Sequence, residues 1–252
     1  MTRDSYLQSI LLREAVDTGL YSPVRGVIAI IQPHIAAWAG RYLAGLTPSG
    51  SFAKGTANKS VTDIDLFISL SSATPDTLKQ VYESLFQKMA EVGGAPKRQN
   101  VSINIKINGF SVDLVPAKQQ DVWTQDHSLY RRRADTWTKT NIAKHISHVV
   151  NGGRQDETRI VKLWRNQKGL DFPSFYLELS VLAALSGYSG SLSYNVWRVL
   201  HYLRDIFPKA RMVDPANTNN VISDDLTDAE RTKIKSAAEL SLKADNWNQI
   251  VK

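Results

Sequence analysis

The chain has 252 residues, 42% hydrophobic and 22% charged, the profile of a folded globular protein rather than a disordered one. It has no cysteine, which excludes disulfides, zinc–thiolate centres and thiol nucleophiles and makes a reducing cytoplasm the default location. The formal net charge of +7 favours polyanionic partners such as nucleoside triphosphates or nucleic acid, although a merely basic surface gives the same balance.

The opening segment MTRDSYLQSI lacks the apolar stretch of a secretory signal, and no apolar run reaches membrane-spanning length, so no membrane role is expected. Residues 3–18 read as a polar, charged helix ending near Gly19. Pro23 to about Leu43 reads as a second helix with Ile28, Ile31, Ile35 and Trp38 on one face, bent or broken at Pro33. In GSFAKGTANKSVTDIDLFISL a small-residue turn at Gly50-Ser51 leads into a strand. Strand side chains alternate, so Asp63 and Asp65 project from one face while Ile64, Leu66, Ile68 and Leu70 supply a buried one. A helix over about 75–91 follows, with Val81, Leu85 and Met89 at helical spacing.

Residues 101–107 and 110–115 form a hairpin around the two-residue turn Asn108-Gly109. Phe110, Val112 and Leu114 face one side of it, Ser111, Asp113 and Val115 the other, and Pro116 ends the strand. Residues 117–140 read as a polar connection. From about Ile142 helices take over: about 154–168, closing at Gly169; about 172–186, with Asp171 as N-cap and Pro173 in the first turn; about 191–206, stopping at Pro208; and from about Thr227 to the C-terminus. The expected organisation is a mixed α/β lobe over residues 1–140, N-terminal helices included, then a helical lobe over 141–252 that closes a cleft. No repeat or low-complexity tract interrupts it.

Two nearby carboxylates repel each other unless a divalent cation neutralises them, and hard cations such as Mg²⁺ prefer oxygen ligands. Gly50 allows close approach of backbone to a ligand, and the Ser51 hydroxyl can donate to a phosphate oxygen. Together these features propose a metal-bound nucleoside triphosphate. Asp113 is a lone acid in an apolar, β-favouring run. By itself it reads equally well as a solvent-facing residue of an edge strand; beside the Asp63/Asp65 pair it reads as a third metal ligand on a neighbouring strand.

The Gly50-Ser51 turn, the strand bearing Asp63 and Asp65, and the later Asp113 resemble the DNA polymerase beta-like nucleotidyltransferase superfamily. The segment ETRIVKLWRNQKGLDFPSFYLELSVLAAL is similar to the helical lobe of its template-independent branch, and MVDPANTNNVISDDL to an Asp-Pro…Asn segment there. That branch includes archaeal-type CCA-adding enzymes, oligoadenylate synthetases and bacterial synthases of cyclic or linear oligonucleotide signals used in phage defence. The resemblance spans roughly residues 45–245 and implies an α/β nucleotidyltransferase lobe with a mixed sheet and flanking helices. It also implies that Lys162 and Ser174 hold the triphosphate, where residue types alone allow a solvated lysine and a minor helix cap. Ser174 lies in a helix's first turn, where free N–H groups favour anions.

Other residues admit more than one reading. Arg131-Arg132-Arg133, with Trp137 and Lys139 following, would track a phosphate backbone with Trp137 as a stacking surface, or simply form a solvated face. Lys54 would reach a phosphate or face water. Trp164 reads as core, Tyr176 as packing or base stacking, and Glu178 as a tie between helices. His145 and His148 share a helix face but lack the companions of a zinc motif. Asp214, Asn219 and Asn220 are expected to fix a loop near the base pocket.

Charge placement gives the expected mechanism: Asp63 and Asp65 bridge two Mg²⁺ ions (Mn²⁺ able to substitute), Asp113 ligates the one beside the attacking hydroxyl, and pyrophosphate leaves. The first reading of function is template-independent joining of NTPs or dNTPs into a short linear or cyclic oligonucleotide, with a downstream effector protein activated by the product. The alternatives are nucleotide addition to tRNA ends, with RNA or single-stranded nucleic acid as partner, and a degenerate nucleotide-binding module.

Overall fold

The computed structural model describes residues 2–60 and 63–252. They fall into two compact units, one of residues 16–54 and 62–146, the other of residues 1–15, 55–61 and 147–252.

The first unit is built on a seven-stranded mixed sheet. It begins with helix α2 (Pro23–Ala39), whose buried Val24, Val27, Ile31, Ile35 and Ala39 recur at helical spacing. The helix runs through Pro33 without the break expected there. A proline inside a helix costs about 3 kcal/mol, so the packing of this apolar face offsets it. Strand β1 (Leu43–Pro48) pairs antiparallel with β2 (Ile64–Leu70), and between them lies the one-turn helix α3 (Gly50–Lys54). Helix α4 (Leu78–Glu91) opens on a reciprocal cap in which Thr77 and Gln80 satisfy each other's backbone N–H groups. It leads to β3 (Lys97–Arg98), β4 (Ile103–Ile107) and β5 (Phe110–Gln119).

Asn108 and Gly109 both adopt positive φ, 49° and 82°, as the tight turn between β4 and β5 demands. β5 then lies parallel to β2, and the chain continues into β6 (His127–Arg131) and β7 (Thr136–Thr140). Ile64, Leu66, Ile68 and Leu70 are buried as the alternation predicts, in one core with α2, α4, Val112 and Leu114.

Two expectations fail here. Pro116 does not end its strand: β5 continues to Gln119. β4 pairs with it only up to Leu114 and β6 only from Ala117, so the residue without an N–H stands where the partner on that edge changes. The supposed polar connection contains β6 and β7; β7 is the edge strand, with Thr136 and Trp137 exposed.

The second unit is helical. It contains α1 (Arg3–Arg13), the end of α5 (Ile142–Asn151), α6 (Gln155–Gln167), α7 (Ser174–Ala184), α8 (Leu192–Asp205), the hairpin β8 (Val213–Asp214) and β9 (Asn217–Val221), α9 (Asp228–Leu242) and α10 (Trp247–Ile250). Its core joins Leu7, Ile10 and Leu11 of α1 to Trp164, Tyr176, Val199, Leu200 and Ala238. The first helix therefore belongs with the helical unit and not with the sheet lobe of residues 1–140, because its three apolar side chains find their partners on α6 and α8.

Helix α7 starts at Ser174 and Asp171 does not cap it. The chain enters through Phe172, buried against Tyr176 and Phe207 at ring separations of 5.4 and 5.0 Å, so packing and Pro173 set the start. The C-terminal helix ends at Leu242 and a short second one follows.

Candidate active site

The parallel pairing of β2 with β5 places Asp65 directly opposite Asp113. Both project from the sheet face opposite the Ile64/Leu66/Ile68 core, since both follow the odd positions of their strands. Asp63 stands exposed at the residue before β2, and its charge acts on Asp113. Burial is the main influence on Asp113: it pushes the carboxyl above the usual carboxylate range, and the Asp63 charge pushes in the same direction. Hydrogen bonds from Asn104 Nδ2 at 2.7 Å and Gln99 Nε2 at 3.1 Å hold its Oδ1.

Gly50 completes this group. The Ser49 N–H donates to the Asp65 carbonyl at 2.8 Å, fastening the start of α3 to β2. Gly50 has φ +56°, and a Cβ there would lie 1.7 Å from Asp65 Oδ2, so only glycine lets the backbone pass the carboxylate so closely. Ser51 follows, half-buried on α3. Lys54 is buried and so does not face water.

The donor set is hard oxygen throughout, which fits Mg²⁺ rather than a soft metal. Among the described residues no three His, Cys, Asp or Glu side chains converge into a group able to hold a metal ion. The expected cage of three acids is thus present as neighbours by register and by charge, but not closed. Asn104 and Gln99 hold Asp113 in this arrangement. The sequence reading does not name Asn104, although counting back from the two-residue turn puts it opposite Asp113. Gln99 carries no comparable signal.

Lys162 and Ser174 belong to the helical unit. Lys162 is buried; its Nζ lies 2.7 Å from Glu178 Oε1 and donates to Thr56 Oγ1 at 2.9 Å, while Thr56 also donates to Glu178 at 2.8 Å. This network joins α6, α7 and the 55–60 segment, and it makes Glu178 the tie between helices read from its apolar surroundings. Ser174 is exposed on the first turn of α7, its Oγ accepting from Arg165 at 3.0 Å. Tyr176 is packing: it is fully buried, its ring 5.1 Å from that of Phe207, and burial pushes its hydroxyl up to about 12. Trp164 is core, donating to Ser241 at 2.9 Å. Asp214 accepts from the Ala216 N–H at 2.8 Å and from Asn220 Nδ2 at 3.2 Å, which shapes the β8–β9 turn.

Residues 37–139, the stretch containing Gly50, Ser51 and all three acids, match the nucleotidyltransferase domain family. In this stretch the chain is similar to nucleotidyltransferase domains. Within that class it is 26% identical over 159 residues to the cyclic AMP-AMP-AMP synthase of Escherichia coli (strain MS 115-1), covering 56% of this chain and 49% of that protein. The match thus spans about half the length of that curated relative. In fold the chain is similar to CdnC of E. coli MS115-1 solved with ATP, at a TM-score of 0.78 and 18% identity over 99% of this chain and 97% of that one. It is also similar to CdnG of Bradyrhizobium diazoefficiens solved with GTP, at a TM-score of 0.76 and 12% identity over 98% of this chain and 94% of that one.

Proposed function

We propose that this protein is a template-independent, metal-dependent nucleotidyltransferase that joins NTPs or dNTPs, ATP foremost, into a short cyclic or linear oligonucleotide, releasing pyrophosphate. The product is a cytoplasmic signal in bacterial antiphage defence, acting on a downstream effector protein. The observation that carries this reading is the in-register pairing of Asp65 with Asp113, with the Gly50 backbone against the Asp65 carboxylate. Similarity to a cyclic AMP-AMP-AMP synthase supports the choice of product class and of ATP.

Asp63, Asp65 and Asp113 are the residues that would hold the divalent cations, Mg²⁺ by donor chemistry with Mn²⁺ able to replace it. Such cations, when bound, neutralise the triphosphate and lower the pKa of an attacking hydroxyl. The proton of that hydroxyl would pass to Asp113, held by Asn104 and Gln99, or to bulk water. Gly50 and Ser51 would receive phosphate oxygens, the first by its bare backbone and the second through its hydroxyl. Ser174, with Arg165 beside it, is a further phosphate contact. Lys162 serves by locking α6 to α7 through Glu178.

The test is incubation of the purified protein with labelled NTPs and dNTPs and Mg²⁺ or Mn²⁺, with and without total tRNA. An oligonucleotide formed without RNA is expected. Label appearing only on tRNA would replace this reading with an RNA-end transferase, and no product under any condition would replace it with a degenerate module.

A further inference from the structure

Three arginines in succession end β6 and open the turn to β7, Arg131 as the last residue of the strand and Arg132 and Arg133 in the turn, and the proposed reaction uses none of them. Arg132 and Arg133 are exposed. The turn is held from beneath. The Arg132 N–H donates to the Asn100 carbonyl at 2.8 Å, Arg132 Nε to the Gln99 carbonyl at 3.1 Å, and the Arg133 N–H to Asn100 Oδ1 at 3.1 Å. The acids near it are engaged elsewhere: Asp135 accepts from Lys79 at 3.0 Å and from the Tyr130 hydroxyl, and Glu83 pairs with Arg98 at 2.6 Å. Among the described residues no carboxylate pairs with Arg131, Arg132 or Arg133, so the positive charge of the turn is not neutralised within the protein.

Beside the turn, at the second position of β7, Trp137 is 57% exposed. A large aromatic left in water a few residues along the chain from the exposed, unneutralised Arg132 and Arg133 matches one ligand chemistry well: a phosphate chain whose bases are free to stack. A duplex has the phosphates but keeps its base faces covered. An acidic peptide or an anionic membrane would use the charge and leave the indole without a planar partner.

We propose that Arg132 and Arg133 of the turn, together with Trp137, form a binding site for single-stranded nucleic acid. Its fixed hydrogen bonds to Gln99 and Asn100 present the arginines without a large ordering cost on binding. Recognition is of backbone and base face, so it is tolerant of sequence. The Arg132 side chain also holds the Gln99 segment, which makes Arg133 and Trp137 the better positions for substitution.

The experiment is fluorescence anisotropy with the full chain and a labelled single-stranded 20-mer of uridines (roughly two site sizes of a simple single-strand groove), titrated across salt concentrations without NTPs. Binding is read apart from turnover, so its failure is distinguishable from failure of the synthase reading. Two phosphate contacts predict a slope of log affinity against log salt of about −1.4, near −0.7 per contact. Arg133→Glu is expected to weaken binding about tenfold or more and Trp137→Ala by at least about fivefold, while neither changes basal nucleotide turnover. A duplex of the same length and polyglutamate of matched charge should compete poorly. Unchanged affinity in both variants, absence of binding at low salt, or equal competition by duplex or polyglutamate would overturn the site.

Discussion

Asp113 shows how one residue takes its character from its neighbours. As a carboxylate on a β-strand it is unremarkable; burial, the charge of Asp63 and the amides of Asn104 and Gln99 make it a poised group. Replacing it with Asn keeps the shape and removes both charge and proton acceptor. Asp113→Asn is expected to leave ATP binding within a few-fold of wild type and to lower turnover by at least about 100-fold, the usual span of general acid–base catalysis. Turnover at the wild-type rate would remove Asp113 from the site. His127 offers a second test. It is buried between Ser69 Oγ and the Gln125 carbonyl, each at 2.8 Å, and burial lowers its pKa despite the opposing carbonyl bond. The folded protein therefore resists protonation that the unfolded chain accepts. Stability from this source is complete above the ordinary histidine pKa of about 6.5 and is lost as pH falls below it toward the depressed folded value. Thermal melts of wild type and His127→Gln from pH 7.5 to 5 should converge at the acid end, and parallel curves would discount the effect.

Among the elements, α3 and its entry turn are the most exacting. Gly50→Ala puts a methyl into the Asp65 carboxylate and an L-residue at positive φ, so the turn must open. We expect loss of nearly all turnover together with a lower melting temperature, whereas Ser51→Ala should weaken triphosphate binding and leave the melt unchanged. The same region shows what the sequence makes legible. Alternation in Ile64–Leu70 and the Asn108-Gly109 turn are local signals, and they sufficed to place Asp65 and Asp113 on their strands. β6 and β7 were not legible, because Thr136–Thr140 carries Thr, Trp and Lys on a solvated edge with no apolar alternation to announce it. The start of α7 was likewise hidden, since it follows the burial of Phe172 against Phe207 from 35 residues later and not a capping side chain.

Across the whole molecule the decisive contacts join segments distant in the chain, and no sequence window reveals them. Lys162 lies 2.7 Å from Glu178 and donates to Thr56, a partner 16 residues ahead and one 106 behind. Both charges are almost fully buried, so removing one strands the other. Lys162→Met or Glu178→Leu alone should cost about 3–5 kcal/mol, and the double substitution markedly less than the two added together. Urea unfolding of the four proteins measures this; additive losses would show that the pair is not coupled. A related long-range feature is the membership of α1. Helix α1 precedes the sheet-bearing stretch in the chain, while its companions, α6 and α8, are translated only after that stretch. On the ribosome Leu7, Ile10 and Leu11 must stay uncovered, or be sheltered by a chaperone, while the sheet-bearing unit folds first. A nascent chain stalled before Gln155 should accordingly yield its first eleven helical residues to protease while the strands already resist digestion.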